Sequence, residues 1–158
     1  MYMMKQNFKR RLTMITDAKI TFDYDPELHR TTCKRTVHNK IYIGTAQCHP
    51  HDYDFENTLT GQHYAYTRSM LKEMCDRRDE YKIQLKTLKH LYNIFEQNCG
   101  DCSSSECYYL RQQMKYVQRD IEEMKDLIKE TRHDLRSTIA EKDRLYSKLR
   151  EKRSNSNK

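Results

Sequence analysis

The run GTAQCHPHDYD, residues 44–54, gathers the side chains best suited to chemistry: Cys48, His49, His51, Asp52 and Asp54 within seven residues, with His63 not far beyond. Thiolate and imidazole beside carboxylates are the ligand types of zinc and related metals. A structural zinc site, however, draws its ligands from two separated places, and here one run holds them all. The same residues equally build a strand-to-helix corner, with Pro50 in the first turn and Asp52 or Asp54 near a helix N-terminus, or a surface for a partner. A second cluster, Cys99-Gly-Asp-Cys102 with Cys107 five residues on, resembles half a zinc knuckle. It suits a reversible disulfide pair or plain turn cysteines as well. A metal-dependent nuclease using His49, His51, Asp52 and Asp54 is the one catalytic arrangement these residue types allow. There is no H-E-x-x-H and no G-x-S-x-G. The three glycines, Gly44, Gly61 and Gly100, lie too far apart for a phosphate loop or a dinucleotide fingerprint. The expectation is a protein without catalytic residues and without a cofactor.

Composition points the same way. Of 158 residues, 34% are charged and 36% hydrophobic, and the mean hydropathy is -1.10. Low Gly and Pro with abundant Lys, Arg, Glu and Gln is the composition of long helices. Lys and Arg number 30 against 23 Asp and Glu, giving +7. That excludes an acidic mimic of DNA and suits a polyanionic partner, yet interleaved signs also describe salt-bridged helix faces. The start MYMMKQNFKRRLTMITD lacks the apolar stretch of a signal peptide, and no window is apolar enough for a membrane span. A cytoplasmic protein with six thiols is expected.

The elements that must position these residues follow from periodicity. Residues 1–16 read as a flexible basic lead-in. In AKITFDYD, Ile20, Phe22 and Tyr24 alternate with polar residues, the pattern of a strand with one buried face. A turn at Asp25-Pro26-Glu27-Leu28 leads to RTTCKRTV and KIYIGTAQC, joined through His38-Asn39-Lys40, which completes a three-stranded meander over 17–48. A short helix over 50–60 is expected to stop at Gly61. Helices over 62–98 and 105–153 flank a Cys-rich turn at 99–104, and 154–158 form a disordered tail. The fold class expected is α+β: one domain over 17–153, with the small antiparallel sheet packed on a long two-helix antiparallel hairpin. Folding back about the turn puts Phe95 near Leu110. Residues 136–153 then overhang the first helix, and Ile139, Leu145 and Leu149 are expected to reach back to the short helix and the sheet.

The overhang brings basic residues to the corner. With 12 Tyr and no Trp, and with Tyr and Arg the favoured anchors of interfaces, the expected partner-binding set is His51, Tyr53, Asp54, Tyr64, Arg144, Lys148 and Arg150. The metal candidates are Cys99, Cys102 and Cys107.

The run YIGTAQCHPHDYDFENTLTGQHYAYTRSMLKEM, followed by LKTLKHLY, resembles a pattern in small proteins of Gram-positive bacteriophages and mobile elements. There a strand ending in Gly-x-Ala-x-Cys-His-Pro-x-Asp leads through a Gly into a long basic helix. The matching positions are Gly44, Ala46, Cys48, His49, Pro50, Asp52, Asp54, Gly61, Ala65 and Arg68, and the likeness covers residues 29–92. Proteins of this size from that source include anti-CRISPR inhibitors. The resemblance therefore implies a non-enzymatic inhibitor of a type II, Cas9-type effector nuclease with its guide RNA, acting in the bacterial cytoplasm. No residue role carries over with it. A basic nucleic-acid-binding phage accessory or regulatory protein is the alternative, and the chain is expected as a monomer or homodimer.

Overall fold

The computed structural model describes residues 18–55, 57–99 and 105–156. The fold is α+β. Strands β1 (Lys19–Asp25), β2 (Arg30–Val37) and β3 (Lys40–Gln47) form an antiparallel sheet in that order. A short 3-10 helix, Pro50–Phe55, precedes the long helices α1 (Thr58–Cys99) and α2 (Ser105–Ser156). No helix among the described residues is long and apolar enough to cross a membrane.

Two turns build the meander as the residue types require. Asp25 Oδ1 accepts hydrogen bonds from the Glu27 and Leu28 amides, both at 3.1 Å, a side chain standing in for a backbone turn. Val37 pairs with Lys40, so His38 and Asn39 form a two-residue loop, and their φ values of 47° and 65° match the twist of the flanking strands.

Three expected boundaries are corrected. The segment after Pro50 is a 3-10 helix ending at Phe55 instead of a helix to residue 60, and Gly61 is no stop, because α1 has already begun at Thr58. The capping residue is Asn57. Its Oδ1 accepts from the amides of Leu59 at 2.9 Å and Thr60 at 3.2 Å, and its carbonyl accepts from Gly61 at 3.0 Å. At the other end, α2 continues to Ser156, past the expected limit at 153.

The chain divides into two compact units. One comprises the described residues up to Lys72 together with those from Ile139 onward. Here α1 is seated on the sheet through small residues spaced four apart, Gly61, Ala65 and Ser69. Gly61 lies against Thr31, and Gly44 lies so close beneath the backbone of Ala65 and Ser69 that no Cβ fits between them. The Cys33 thiol meets the Ser69 hydroxyl at 3.8 Å. Arg35 is 1% exposed and its guanidinium stacks over Tyr66 at 5.1 Å. Arg68 also donates to the Thr45 carbonyl.

The other unit, Glu73–Thr138, is the helical hairpin. Its buried apolar positions, Met74, Cys107, Leu110, Val117, Ile121 and Ile128, lie on the three-four spacing of an amphipathic seam. Arg111 donates to the Tyr92 hydroxyl at 2.5 and 2.9 Å, and Arg132 reaches the Cys75 sulfur at 3.8 Å. Residues whose numbers sum to 203 and 207 therefore meet, within two residues of the 205 expected from Phe95 against Leu110.

Candidate functional site

The corner after β3 is held from three directions, all within the sheet unit. The Cys48 amide donates to the His29 carbonyl at 2.9 Å, tying the end of β3 to the turn before β2. His29 itself, at φ 46°, lays its ring on Tyr53 with centroids 3.6 Å apart and planes 17° from parallel. The Asp52 amide closes the turn on the His49 carbonyl at 2.8 Å. That leaves the Asp52 side chain, 5% exposed by residue, facing inward, where Arg150 Nη1 of α2 donates to Oδ1 at 2.6 Å. A carboxylate this buried is tolerable only with such a partner.

The face of α2 that meets the corner differs from the one expected. Leu145 and Leu149 are 55% and 40% exposed. The inward face carries Lys142, Tyr146 and Arg150 instead, spaced four apart. The Lys142 ammonium sits 5.1 Å from the Tyr146 ring centre and 6.0 Å from that of Tyr64. Long cationic side chains and a tyrosine cover apolar surface with their stems and rings while their polar ends reach partners or water. Two leucines could not have answered the Asp52 carboxylate, and Arg150 can. The space that Tyr64, Lys142 and Tyr146 line with His29, Cys48 and Thr60 is about 40 Å³, room for ordered water.

Of the seven residues expected to bind a partner, the structure brings several into this one region. Tyr64 is buried at 7% exposure, beneath the surface instead of on it. Arg150 is engaged with Asp52. Tyr53 remains 37% exposed, and Arg144 and Lys148 are exposed on the outer face of α2. The side chains of His51 and Asp54 lie outside the described residues, as do Cys102 and the side chain of Cys99. Cys107 is fully buried in the first turn of α2. Among the described residues no three of His, Cys, Asp and Glu are grouped to hold a metal ion. Sequence reasoning passed over His29, and it counted Lys142 in the basic run at the end of α2 without placing it at the corner. The i, i+4, i+8 spacing of Lys142, Tyr146 and Arg150 was the available signal for the second, but it reads as polar surface until a buried acid faces it.

Burial pushes the Tyr64 and Tyr146 hydroxyls above the ordinary phenol range, with Asp143 and Tyr146 adding to the shift at Tyr64, and Cys48 and Asp52 adding at Tyr146. Burial likewise raises the Cys33 thiol, against smaller opposing effects of Ser69 and Arg35. Each group is an acid that holds its proton more tightly folded than unfolded. Its contribution to stability is complete below the unfolded pKa and is lost as pH rises through the folded one. The urea midpoint should therefore fall as pH climbs from about 8.5, where free thiols ionise, through about 10, where free phenols do. Tyr64→Phe with Tyr146→Phe should flatten that fall. An unchanged alkaline slope in the double variant would remove the tyrosines as its cause.

Comparison with protein-family models, curated proteins and solved structures finds no match to this chain.

Proposed function

We propose that this protein acts by stoichiometric binding to another protein through the outer strip of α2 beside the corner. Its target is a host defence nuclease of the Cas9 type, the class that the resemblance implies. The observation that carries this reading is the juxtaposition of exposed Leu145 and Leu149 with Arg144 and Lys148 on a helix surface braced from behind by Arg150 and Asp52. Exposed apolar side chains gain by being desolvated against a partner, and flanking cations steer encounter with an acidic surface. A guided nuclease must dock its nuclease domain before cleavage, and a braced helix seated on it would obstruct that movement.

The alternative, binding to nucleic acid, draws on the net charge of +7 and on Arg144, Lys148 and Lys152 spaced four apart. The two leucines favour protein, since a phosphate backbone offers them nothing. Pull-down with purified type II effector nucleases, with and without guide RNA, is expected to retain the protein. Arg144→Glu with Lys148→Glu should weaken retention by about tenfold or more at unchanged helicity. No complex with any effector, together with a mobility shift on random nucleic acid that disappears at high salt, would replace this proposal with the alternative.

A further inference from the structure

Strand β1 carries the most exposed part of the sheet's covered face among the described residues. Contacts of α1 fall on β2 and β3, through Thr31, Cys33, Arg35 and Gly44. In β1, Ile20, Phe22 and Tyr24 pair with Arg35, Cys33 and Thr31, so they share the covered face, yet they are 42%, 42% and 39% exposed. Their three β2 neighbours are 1%, 0% and 4% exposed. Among the described residues, strand β1 also has a sheet neighbour on one side only. Proteins ordinarily blunt such an edge with a proline, a bulge or an inward charge. Strand β1 has none of these: its seven residues contain no Pro, its register with β2 runs unbroken, and its inward residues are all apolar or aromatic.

The sequence of this edge complements itself. When KITFDYD is laid antiparallel against a second copy with Phe22 opposite Phe22, Ile20 faces Tyr24 of the second copy, and Lys19 faces Asp25 of the second copy. Every apolar residue meets an apolar one and the end charges are opposite in sign. A parallel pairing would set Lys19 on Lys19 and Asp23 on Asp23. A one-residue slip would set inward residues against outward ones, and a two-residue slip would carry Tyr24 in one direction, or Ile20 in the other, past the end of the facing strand. Cross-strand aromatic and β-branched pairs are among the favourable ones, and like charges directly opposite are not.

We propose that two copies of this chain associate through β1, antiparallel and centred on Phe22, to make a continuous six-stranded sheet about a two-fold axis. This association uses the edge opposite β3, the strand that leads into the corner, so it is independent of the binding reading above. In a dimer the α2 strip would be presented twice.

Native mass and sedimentation measurements on the full chain, up to a few hundred micromolar, test it. The wild type should be dimeric. Phe22→Arg, which places two cations on the axis, should weaken association on the order of tenfold or more, and Lys19→Glu should weaken it in the same direction. Ile43→Arg, on the opposite face of the sheet, should not. Directly opposed strand residues have Cα atoms about 4.5–5.5 Å apart, within disulfide reach. Phe22→Cys should therefore give a covalent dimer on oxidation, linked at position 22 by mass mapping, and Asp23→Cys should give far less. A wild type that stays monomeric leaves the edge for a strand of some other protein and overturns the proposal. So does a dimer that survives Phe22→Arg and dissociates on Ile83→Glu, which would place the interface on the hairpin.

Discussion

Gly44→Ala is expected to cost about 3 kcal/mol or more, a large share of the roughly 5–15 kcal/mol that holds an ordinary domain folded. A Cβ at this position would lie 1.9 Å from the Ala65 carbonyl oxygen and 2.5 Å from the Ser69 nitrogen. Both are backbone atoms of α1, so no rotamer change relieves the overlap and the helix itself must lift off the sheet. Lifting it loosens the Cys33–Ser69 contact and the stacking of Arg35 on Tyr66 together. Gly61→Ala is the informative control. Its Cβ would come within 2.6 Å of a side-chain atom, the Thr31 hydroxyl, which can rotate away, and replacing a helical glycine recovers up to about 1 kcal/mol of propensity. Urea unfolding followed by far-ultraviolet circular dichroism should show a much lower midpoint for Gly44→Ala and a near-native one for Gly61→Ala. A native midpoint for Gly44→Ala would mean that α1 is not seated at this point of β3.

The second large effect is expected at Asp52 and Arg150. Removing the cation from a fully buried pair typically costs about 3–5 kcal/mol, because a charge is left without compensation. The Arg150 side chain is 42% exposed, so water shares in solvating this pair and about 2 kcal/mol is the better expectation for Arg150→Ala. Asp52→Asn with Arg150→Met should cost less than the sum of the two single changes, since removing both charges together strands neither. The double-mutant cycle measures that coupling directly. Arg150→Ala should also weaken binding through the Leu145 and Leu149 strip, which the pair braces, while Arg144→Glu and Lys148→Glu should leave stability nearly unchanged. Additive single effects at Asp52 and Arg150 would show that the contact contributes nothing beyond its two ends.

Local pattern was enough to establish the α+β class, the three strands with their hairpin turn at His38 and Asn39, and the two helices with a seam register correct to within two residues. Each of these depends on neighbours in sequence: side-chain alternation, positive-φ tolerance at Asn39, and recurrence at three and four. It was enough, too, to expect the end of α2 beside the Pro50 corner, because helix length and the position of the turn decide the overhang. The roles of Gly61, Leu145 and Leu149, and the exposure of Tyr64, were misjudged for one common reason. Glycine in isolation reads as a helix stop, tyrosine beside basic residues as an exposed anchor, and leucine as core. Only the packed molecule shows that Gly61 continues the small stripe that lets α1 approach the sheet, and that Tyr64 lies beneath the corner. It likewise shows that a buried Asp52 turns Arg150 inward, and with it Lys142 and Tyr146, while the leucines are left outside. Which face of an amphipathic helix is buried is decided by what stands opposite it, and a carboxylate that a 3-10 turn aims inward carries no mark of that in the residues around it.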